Sequence, residues 1–262
     1  LTKGHHAMFD GMRALRWQTC MLSTNSKKRN MVPFWAVGLP SSVQKEIKEN
    51  PRLLPDVLRA NLKSNFSSVK SLGNAALESF NAATQKDSEL IAPYSAPKAA
   101  MGDPLTWRRR VSTQTLTIER VKAASVEGAT INDAVLALIG GAFRRYLIEL
   151  NELPEKSLVS AVPMALKSKD AAMSGGNALA NLLVPIGTHI EDPVARMQFV
   201  MDASTKAKTH MQQMSTQGMQ AWMILTTLPA LLDVASKENF IARRFSNMLI
   251  SNVPGSKEAL YF

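Results

Sequence analysis

The stretch "TINDAVLALIGGAFRRYLIEL" at residues 130–150 decides the fold prediction, because it is the clearest helix in the chain. Thr130 has an N-cap residue type, and Asp133 follows three residues later, close to the capping-box pattern. Apolar residues then recur at the spacing of one helical face: Val135, Leu138, Ile139, Ala142, Phe143, Tyr146 and Leu150. Gly140 and Gly141 each cost a helix interior about 1 kcal/mol relative to alanine. We therefore expect close packing against a sheet to compensate for the two glycines.

Strands are predicted on both sides of this helix. Before it, "VSTQTLTIE" at 111–119 alternates and is rich in threonine, which favours a strand. After it come "LVSAVPMAL" at 158–166 and "NLLVPIGTH" at 181–189. Each of these two strands contains a proline, which suggests an edge strand or a bulge. A further strand, "SNMLISNVPG" at 246–255, is predicted to run into a turn.

Further helices are predicted between and before the strands. Residues 192–211 begin as a helix should, with Asp192 as N-cap and Pro193 at the first helical position. Helical spacing also covers residues 43–80, with a break, and residues 219–236. Because strands and helices alternate, the predicted fold class is α/β, or a mixed α+β arrangement.

Charge and composition narrow the classes of function. The chain has 31 Lys and Arg against 21 Asp and Glu, a formal net charge of +10. Such a balance suits nucleic acid, an anionic membrane surface or phosphate-bearing substrates. The basic clusters have no interleaved aromatic residues, so we predict no nucleic-acid binding. No apolar run reaches the length of about 18 residues that a membrane-spanning helix needs.

Two adjacent histidines mark the start of the chain, in "KGHHAMFDG" at residues 3–11. A neutral imidazole is the usual general base near neutral pH, since it can take up and return a proton. A metal site is a rival interpretation, but His189 and His210 do not stand at ligand-like spacing, so no metal is predicted. The remaining alternative is that both histidines are incidental loop residues.

"HHAMFDG" matches the H-H-x-x-x-D-G motif of the coenzyme A-dependent acyltransferase superfamily. Other blocks, in the same order and at similar spacing, resemble the wax ester synthase/diacylglycerol acyltransferase branch of that superfamily. They are "VPFWAV" (32–37), "TINDAVLALIGGAFRRYL" (130–147), "LPEKSLVSAVPMALK" (153–167), "DPVARMQFVMDASTKAK" (192–208) and "ISNVPGSKEALYF" (250–262).

The resemblance implies a two-domain fold of the chloramphenicol-acetyltransferase type. Residues 1–90 would be the remainder of the N-terminal domain, 91–110 a linker or crossing segment, and 111–262 the C-terminal domain. In that family, further sequence precedes the histidine motif and follows the Ser-Asn-Val-Pro-Gly block. We therefore expect this chain to be a fragment that lacks both.

The resemblance also implies a function: transfer of a long-chain acyl group from acyl-CoA to a fatty alcohol or diacylglycerol. His6 would be the general base, His5 would support the site, and Asp10 would fix the loop. The residues expected to bind substrate are Gly11, Asn132, Asp133, Ser251 and Asn252. For Asn132 and Asp133 the alternative is helix capping, and for Ser251 and Asn252 it is a structural turn.

No cofactor is expected, since acyl-CoA is a substrate. The expected location is cytoplasmic, at the periphery of the inner membrane or of lipid inclusions. Two other functions stay open. One is another acyltransferase with this motif, of the condensation type. The other is a lipid-surface-binding fragment without turnover.

Overall fold

A computed structural model of the chain describes the segments that bear on the fold prediction. The described residues are 21–28, 90–99, 110–165, 179–214, 222, 245–253, 255–256 and 258–261. The histidine motif at 5–11 and the predicted helix over 43–80 lie outside them. Of the helix predicted over 219–236, Trp222 alone is described; it is helical and buried.

Helices and strands alternate through the described part, which confirms the mixed α/β class. The elements are α1 (Ile118–Ala123), α2 (Ile131–Glu149), β1 (Val159–Ala165), β2 (Leu179–Pro185), α3 (Pro193–Gln213) and β3 (Met248–Leu249). The strands form a sheet in the order β2–β1–β3. β1 and β3 are parallel, with Ser160 opposite Met248 and Ala161 opposite Leu249.

Strand β1 corrects one detail of the prediction, because it lies between the other two described strands. Its Pro163 was expected to mark an edge or a bulge. The pairing with β3 involves Ser160 and Ala161, so the missing N–H of Pro163 falls beyond that ladder and removes no bond from it. In β2 the proline, Pro185, is the last residue of the strand.

Helix α2 begins where the sequence predicts. Thr130 is its N-cap and forms a reciprocal capping box with Asp133. A Cβ added to Gly140 would collide with the carbonyl oxygen of Ile186, which directly follows β2. The expected close packing is therefore confirmed at Gly140, where the helix meets the end of β2, and it explains why glycine occupies this position. Gly141 does not follow the prediction, since it faces the Arg196 side chain of α3.

The buried face of α2 differs from the predicted one. Leu138, Tyr146 and Leu150 are 43%, 50% and 42% exposed. The buried residues of the helix are Asp133, Ala134, Leu136, Ala137, Gly140 and Leu147. Apolar residues lie on more than one side of α2, so periodicity alone fits two faces. The close approach at Gly140 decides which face is buried.

The strand predicted over 111–119 is wrong. In the structure Thr117 caps helix α1, which begins at Ile118, and residues 110–117 have no regular structure. Every residue from 110 to 120 is exposed. Alternation and threonine content favour a strand only where a neighbouring strand or a core face is available, and the described residues provide neither here.

Helix α3 follows the prediction closely. The Asp192 carboxylate accepts a hydrogen bond from the Ala195 N–H at 2.7 Å, and Pro193 is the first helical residue. Its buried side chains are Met197, Val200, Ala203, Ser204 and Met211.

The chain divides into two compact units. One comprises Leu1–Lys63, Ala165–Leu179 and Asn252–Phe262, and the other comprises Ser64–Met164 and Ala180–Ser251. The domain boundaries expected near residues 90 and 110 stay a prediction. Among the described residues, no helix has both the length and the apolar character to cross a membrane.

Candidate functional site

The residues expected to form the site fall into two groups. His5, His6, Asp10 and Gly11 lie outside the described residues. Asn132 and Asp133, in the first turn of α2, and Ser251 and Asn252, after β3, lie within them. The structure therefore shows the surroundings of Asn132, Asp133, Ser251 and Asn252.

Asp133 is a buried carboxylate that holds the start of α2. Its side chain is 2% exposed. Oδ2 accepts hydrogen bonds from the Thr130 N–H at 3.0 Å and from the Thr130 hydroxyl at 2.6 Å. The Thr130 Oγ1 in turn accepts from the Asp133 N–H at 3.2 Å. The capping role is thus confirmed, and a direct contact of Asp133 with substrate stays a prediction.

Helix α3 supplies the charge that balances this carboxylate. Lys208 Nζ lies 3.6 Å from Asp133 Oδ1. Burial by itself would raise the pKa of Asp133. The hydrogen bonds from Thr130, the nearby Ser204 hydroxyl and the Lys208 ammonium outweigh burial, so the pKa lies below its ordinary value. Asp133 is therefore ionised at neutral pH and joins the start of α2 to α3.

Asn132 occupies the position just before this carboxylate, and it is half-buried. Unlike Asp133, it is not part of the capping box. Its side-chain amide takes part in none of the hydrogen bonds within the described part of the chain. A free amide at the positive end of a helix dipole suits a polar ligand group.

Ser251 and Asn252 follow the last residue that hydrogen-bonds to the sheet. The Ile250 N–H donates to the Ala161 carbonyl at 3.0 Å, and Ile250 is buried. The next two residues are exposed. The strand predicted over 246–255 is thus short, Met248–Leu249, and Ser251 and Asn252 begin the chain segment that leaves it.

The sequence analysis missed two arginines near the loop between β2 and α3. Arg144 has a side chain only 17% exposed. Its Nη1 donates to the carbonyls of Thr188 at 3.0 Å and His189 at 3.2 Å. Its neighbour Arg145 differs, since its side chain is 86% exposed and pairs with Glu149.

The second arginine, Arg196 on α3, spans three elements. Its Nε donates to the Ala137 carbonyl of α2 at 3.3 Å, and its Nη1 donates to the Ile190 carbonyl at 2.9 Å. Gly187 makes room for it: φ there is +71°, and an added Cβ would lie 2.6 Å from Arg196 Cγ. Burial, followed by the neighbouring Arg144 charge, lowers the pKa of Arg196. Because both arginines donate hydrogen bonds to backbone carbonyls of the loop, these residues hold the loop in place.

A small cavity lies between β2 and the end of α3, with a volume of about 20 Å³. That is close to the space one water molecule needs. Its lining is apolar apart from one imidazole: Leu90, Ile91, Leu182, Leu183, Ala207, His210, Met211 and Trp222. His210 Nε2 is buried without a hydrogen-bond partner, and burial lowers the pKa of this histidine. The cavity is too small for an acyl chain.

No group of three or more His, Cys, Asp or Glu side chains within the described segments is arranged to hold a metal ion.

Comparison with known families shows which kind of protein carries this mixed α/β fold. Residues 1–135 match the model of the wax ester synthase/diacylglycerol acyltransferase catalytic domain. Residues 175–262 match the model of the C-terminal domain of the same proteins. The chain therefore belongs to the wax ester synthase/diacylglycerol acyltransferase family, as its sequence blocks predict.

Individual relatives agree with this assignment. A Mycobacterium tuberculosis H37Rv protein named probable diacylglycerol O-acyltransferase tgs2 is 32% identical over 100% of this chain and 56% of its own length. The O-acyltransferase WSD of Acinetobacter baylyi is 27% identical over 99% of this chain and 56% of its own length. The chain thus spans about half the length of these curated relatives.

A solved structure confirms the fold prediction. The wax ester synthase/diacylglycerol acyltransferase from Marinobacter aquaeolei VT8 is similar over 98% of this chain and 52% of its own, with a TM-score of 0.62 and 25% identity. The chain is therefore similar to about half of a two-domain acyltransferase, which is the fold that the resemblance predicted.

Proposed function

We propose that this protein transfers a long-chain acyl group from acyl-CoA to a fatty alcohol or a diacylglycerol. The observation that carries the proposal is the H-H-x-x-x-D-G motif at residues 5–11, which lies inside the segment that matches the family's catalytic domain. The relatives named as diacylglycerol O-acyltransferases and as a wax ester synthase support the two classes of acceptor.

His6 is the general base in this proposal. Its imidazole takes the proton of the acceptor hydroxyl while that oxygen attacks the thioester carbonyl carbon. The tetrahedral intermediate then collapses, the carbon–sulfur bond breaks, and the imidazolium protonates the leaving thiolate. Assistance of this kind contributes about 10²–10⁴-fold, and alignment of the two bound substrates supplies much of the remainder. No acyl-enzyme and no resident cofactor enter the scheme.

The other predicted residues serve the same site. His5 supports His6, Asp10 fixes the loop, and Gly11 leaves room for substrate. Asn132 contacts substrate through its free side-chain amide, while the Asp133 carboxylate, held by Thr130 and Lys208, fixes the helical turn that presents it. Ser251 and Asn252 line the path of the acyl chain or of coenzyme A.

The substrates also imply where the protein acts. Diacylglycerols and fatty alcohols partition into membranes and lipid inclusions, and the formal net charge of +10 attracts the chain to anionic surfaces. We therefore place the protein at the periphery of a membrane or of a lipid inclusion.

The test is the rate of thiol release from palmitoyl-CoA, with hexadecanol or a diacylglycerol as acceptor. We expect acceptor-dependent release that falls at least about a hundredfold in His6→Ala. His189→Ala is the matched control, since His189 is an exposed loop residue whose ring meets Phe199 edge-on at 5.2 Å. This control is expected to keep the wild-type rate. The ratio of the two acceptor rates identifies the main product.

Equal release from wild type and His6→Ala would remove His6 as the base. A wild type with native circular dichroism that releases no thiol with either acceptor would contradict the proposed reaction for this chain. A wild type that uses a carrier-protein thioester instead of palmitoyl-CoA would move it to the condensation-type enzymes.

A further inference from the structure

The most exposed apolar side chains of the described structure include three in one short run. Residues 110–120 contain no buried or half-buried residue. Within them Val111 is 89% exposed, Leu116 45% and Ile118 58%. Helix α1, which the run enters, has no buried residue at all. Single exposed apolar residues are ordinary on a protein surface, but several in one uncovered segment mark a place of interaction.

Basic side chains flank these apolar groups. Arg110, Arg120 and Lys122 are all exposed, and no described ion pair engages them. Glu119 is the single acidic residue of the sequence from 110 to 122, and Arg108 and Arg109 directly precede it. We call residues 110–122 the basic apolar run.

We propose that the basic apolar run is the surface by which this protein docks on an anionic lipid bilayer. Its apolar side chains enter the boundary between headgroups and acyl chains, while its arginines and lysine contact lipid phosphates. The proposal rests on the proposed function, which places the acceptor lipids at such a surface. It goes further by assigning the contact to one segment.

Charge favours a bilayer over a discrete protein partner. An acidic peptide would engage the local charges of the run, whereas an extended anionic surface also attracts the rest of a chain with a net charge of +10. A second copy of this chain fits less well, because it would bring two basic runs together.

Vesicle partitioning tests the proposal directly. The full chain is sedimented with vesicles of phosphatidylglycerol and phosphatidylcholine, and with phosphatidylcholine vesicles alone. Each basic residue near the surface contributes about fivefold to binding, so Arg120→Gln with Lys122→Gln should lower partitioning roughly 25-fold. Leu116→Ser with Ile118→Ser should lower it about tenfold or more.

Matched controls come from other exposed positions. Lys156 is an exposed cation between α2 and β1, and Val194 is a 62% exposed apolar residue at the start of α3. Lys156→Gln with Val194→Ser should leave partitioning within about twofold of wild type, because a charge away from the docking surface is largely screened by salt. Because every substituted position in the run is exposed, we expect all variants to keep the wild-type circular dichroism and unfolding midpoint.

Several outcomes would overturn the proposal: equal binding of both vesicle types, wild-type partitioning by both run variants, or a wild type that never partitions. The oligomeric mass, measured by light scattering, provides one more outcome that would overturn the proposal. If Leu116→Ser with Ile118→Ser changes the oligomeric mass and leaves partitioning alone, the run is a self-association surface.

Thiol release measured with hexadecanol in detergent micelles, without vesicles, separates this proposal from the proposed function. Vesicle binding through the run without His6-dependent release contradicts the function and supports the docking surface. His6-dependent release in a chain that ignores anionic vesicles contradicts the docking surface and supports the function.

Discussion

Helix α2 makes two contacts that hold it by different means. At its start, a buried carboxylate is bound by Thr130 and balanced by Lys208 of α3. At its middle, Gly140 brings the helix backbone against the carbonyl of Ile186 with no polar interaction of its own. The first contact depends on charge and hydrogen bonds, and the second depends on shape. They should therefore respond differently to substitution and to pH.

The largest effect is expected from Gly140→Ala. The new Cβ would meet backbone atoms of Ile186, which cannot turn aside as a side chain can. Overpacking of this kind costs about 3 kcal/mol, and the better helix propensity of alanine returns about 1 kcal/mol. We expect urea unfolding to show a net loss of about 2 kcal/mol in the free energy of unfolding.

Gly141→Ala is the matched control for that experiment. Its added Cβ would meet the guanidinium end of Arg196, with Nη2 at 2.7 Å, and this side chain can shift only by weakening its hydrogen bonds to the Ala137 and Ile190 carbonyls. The gain in helix propensity offsets much of that cost, so we expect a net loss of about 1 kcal/mol or less, smaller than that of Gly140→Ala. Equal losses in the two variants would contradict the shape-based account of the middle contact.

The two contacts also differ in how far the sequence could predict them. The capping box at Thr130 is local, so four residues suffice to predict it. The glycine pair predicts a close approach but not its partner, which lies more than forty residues away. The prediction of the buried face of α2 was wrong for the same reason. Leu136 and Leu138 are equally apolar, and only the packing of Gly140 decides that Leu136 is buried and Leu138 exposed.

A second prediction concerns the charge at the start of α2. Asp133→Asn keeps the size and one acceptor oxygen, but it removes the charge that Lys208 and the Thr130 donors stabilise. Charged hydrogen bonds are stronger than neutral ones, so we expect a loss of about 1–2 kcal/mol in the free energy of unfolding. Lys208→Met should cost less, because the lysine side chain is 32% exposed while the aspartate is 2% exposed.

The double variant tests whether the two residues act as a pair. If the Asp133–Lys208 interaction is real, the combined loss is smaller than the sum of the two single losses. Strict additivity would show that Lys208 stabilises α3 without regard to the carboxylate. The sequence could not predict this pair, since the two residues are 75 positions apart and lie on different helices.

The candidate site shows the same division between local and distant information. The histidine motif and the other sequence blocks predicted the family, because each block is a short run of neighbouring residues that can be read directly from the sequence. The cavity beside His210 and the loop held by Arg144 and Arg196 were missed. The cavity forms where β2 and α3 meet residues distant in sequence, and the loop is held by side chains from α2 and α3, so both depend on tertiary packing.

The smallest effect, and the sharpest separation of the two contacts, comes from pH. The pKa of Asp133 is lowered in the folded protein, so the unfolded chain binds the proton more readily. The stability that this carboxylate contributes is therefore complete above its unfolded pKa and is lost as pH falls through its lower folded pKa. The difference in unfolding free energy between wild type and Asp133→Asn should stay constant from pH 7 to about 4.5 and shrink below about pH 4. His189 and His210, whose pKa values are also lowered by burial, titrate in both proteins, so their contributions cancel in this difference.

The difference in unfolding free energy between wild type and Gly140→Ala should keep its size over the same pH range, because no titrating group takes part in that contact. Urea unfolding of the three proteins between pH 7 and pH 3.5 measures both differences. A gap for Asp133→Asn that does not narrow in acid would mean that the charge of this carboxylate contributes nothing to the stability of the helix start.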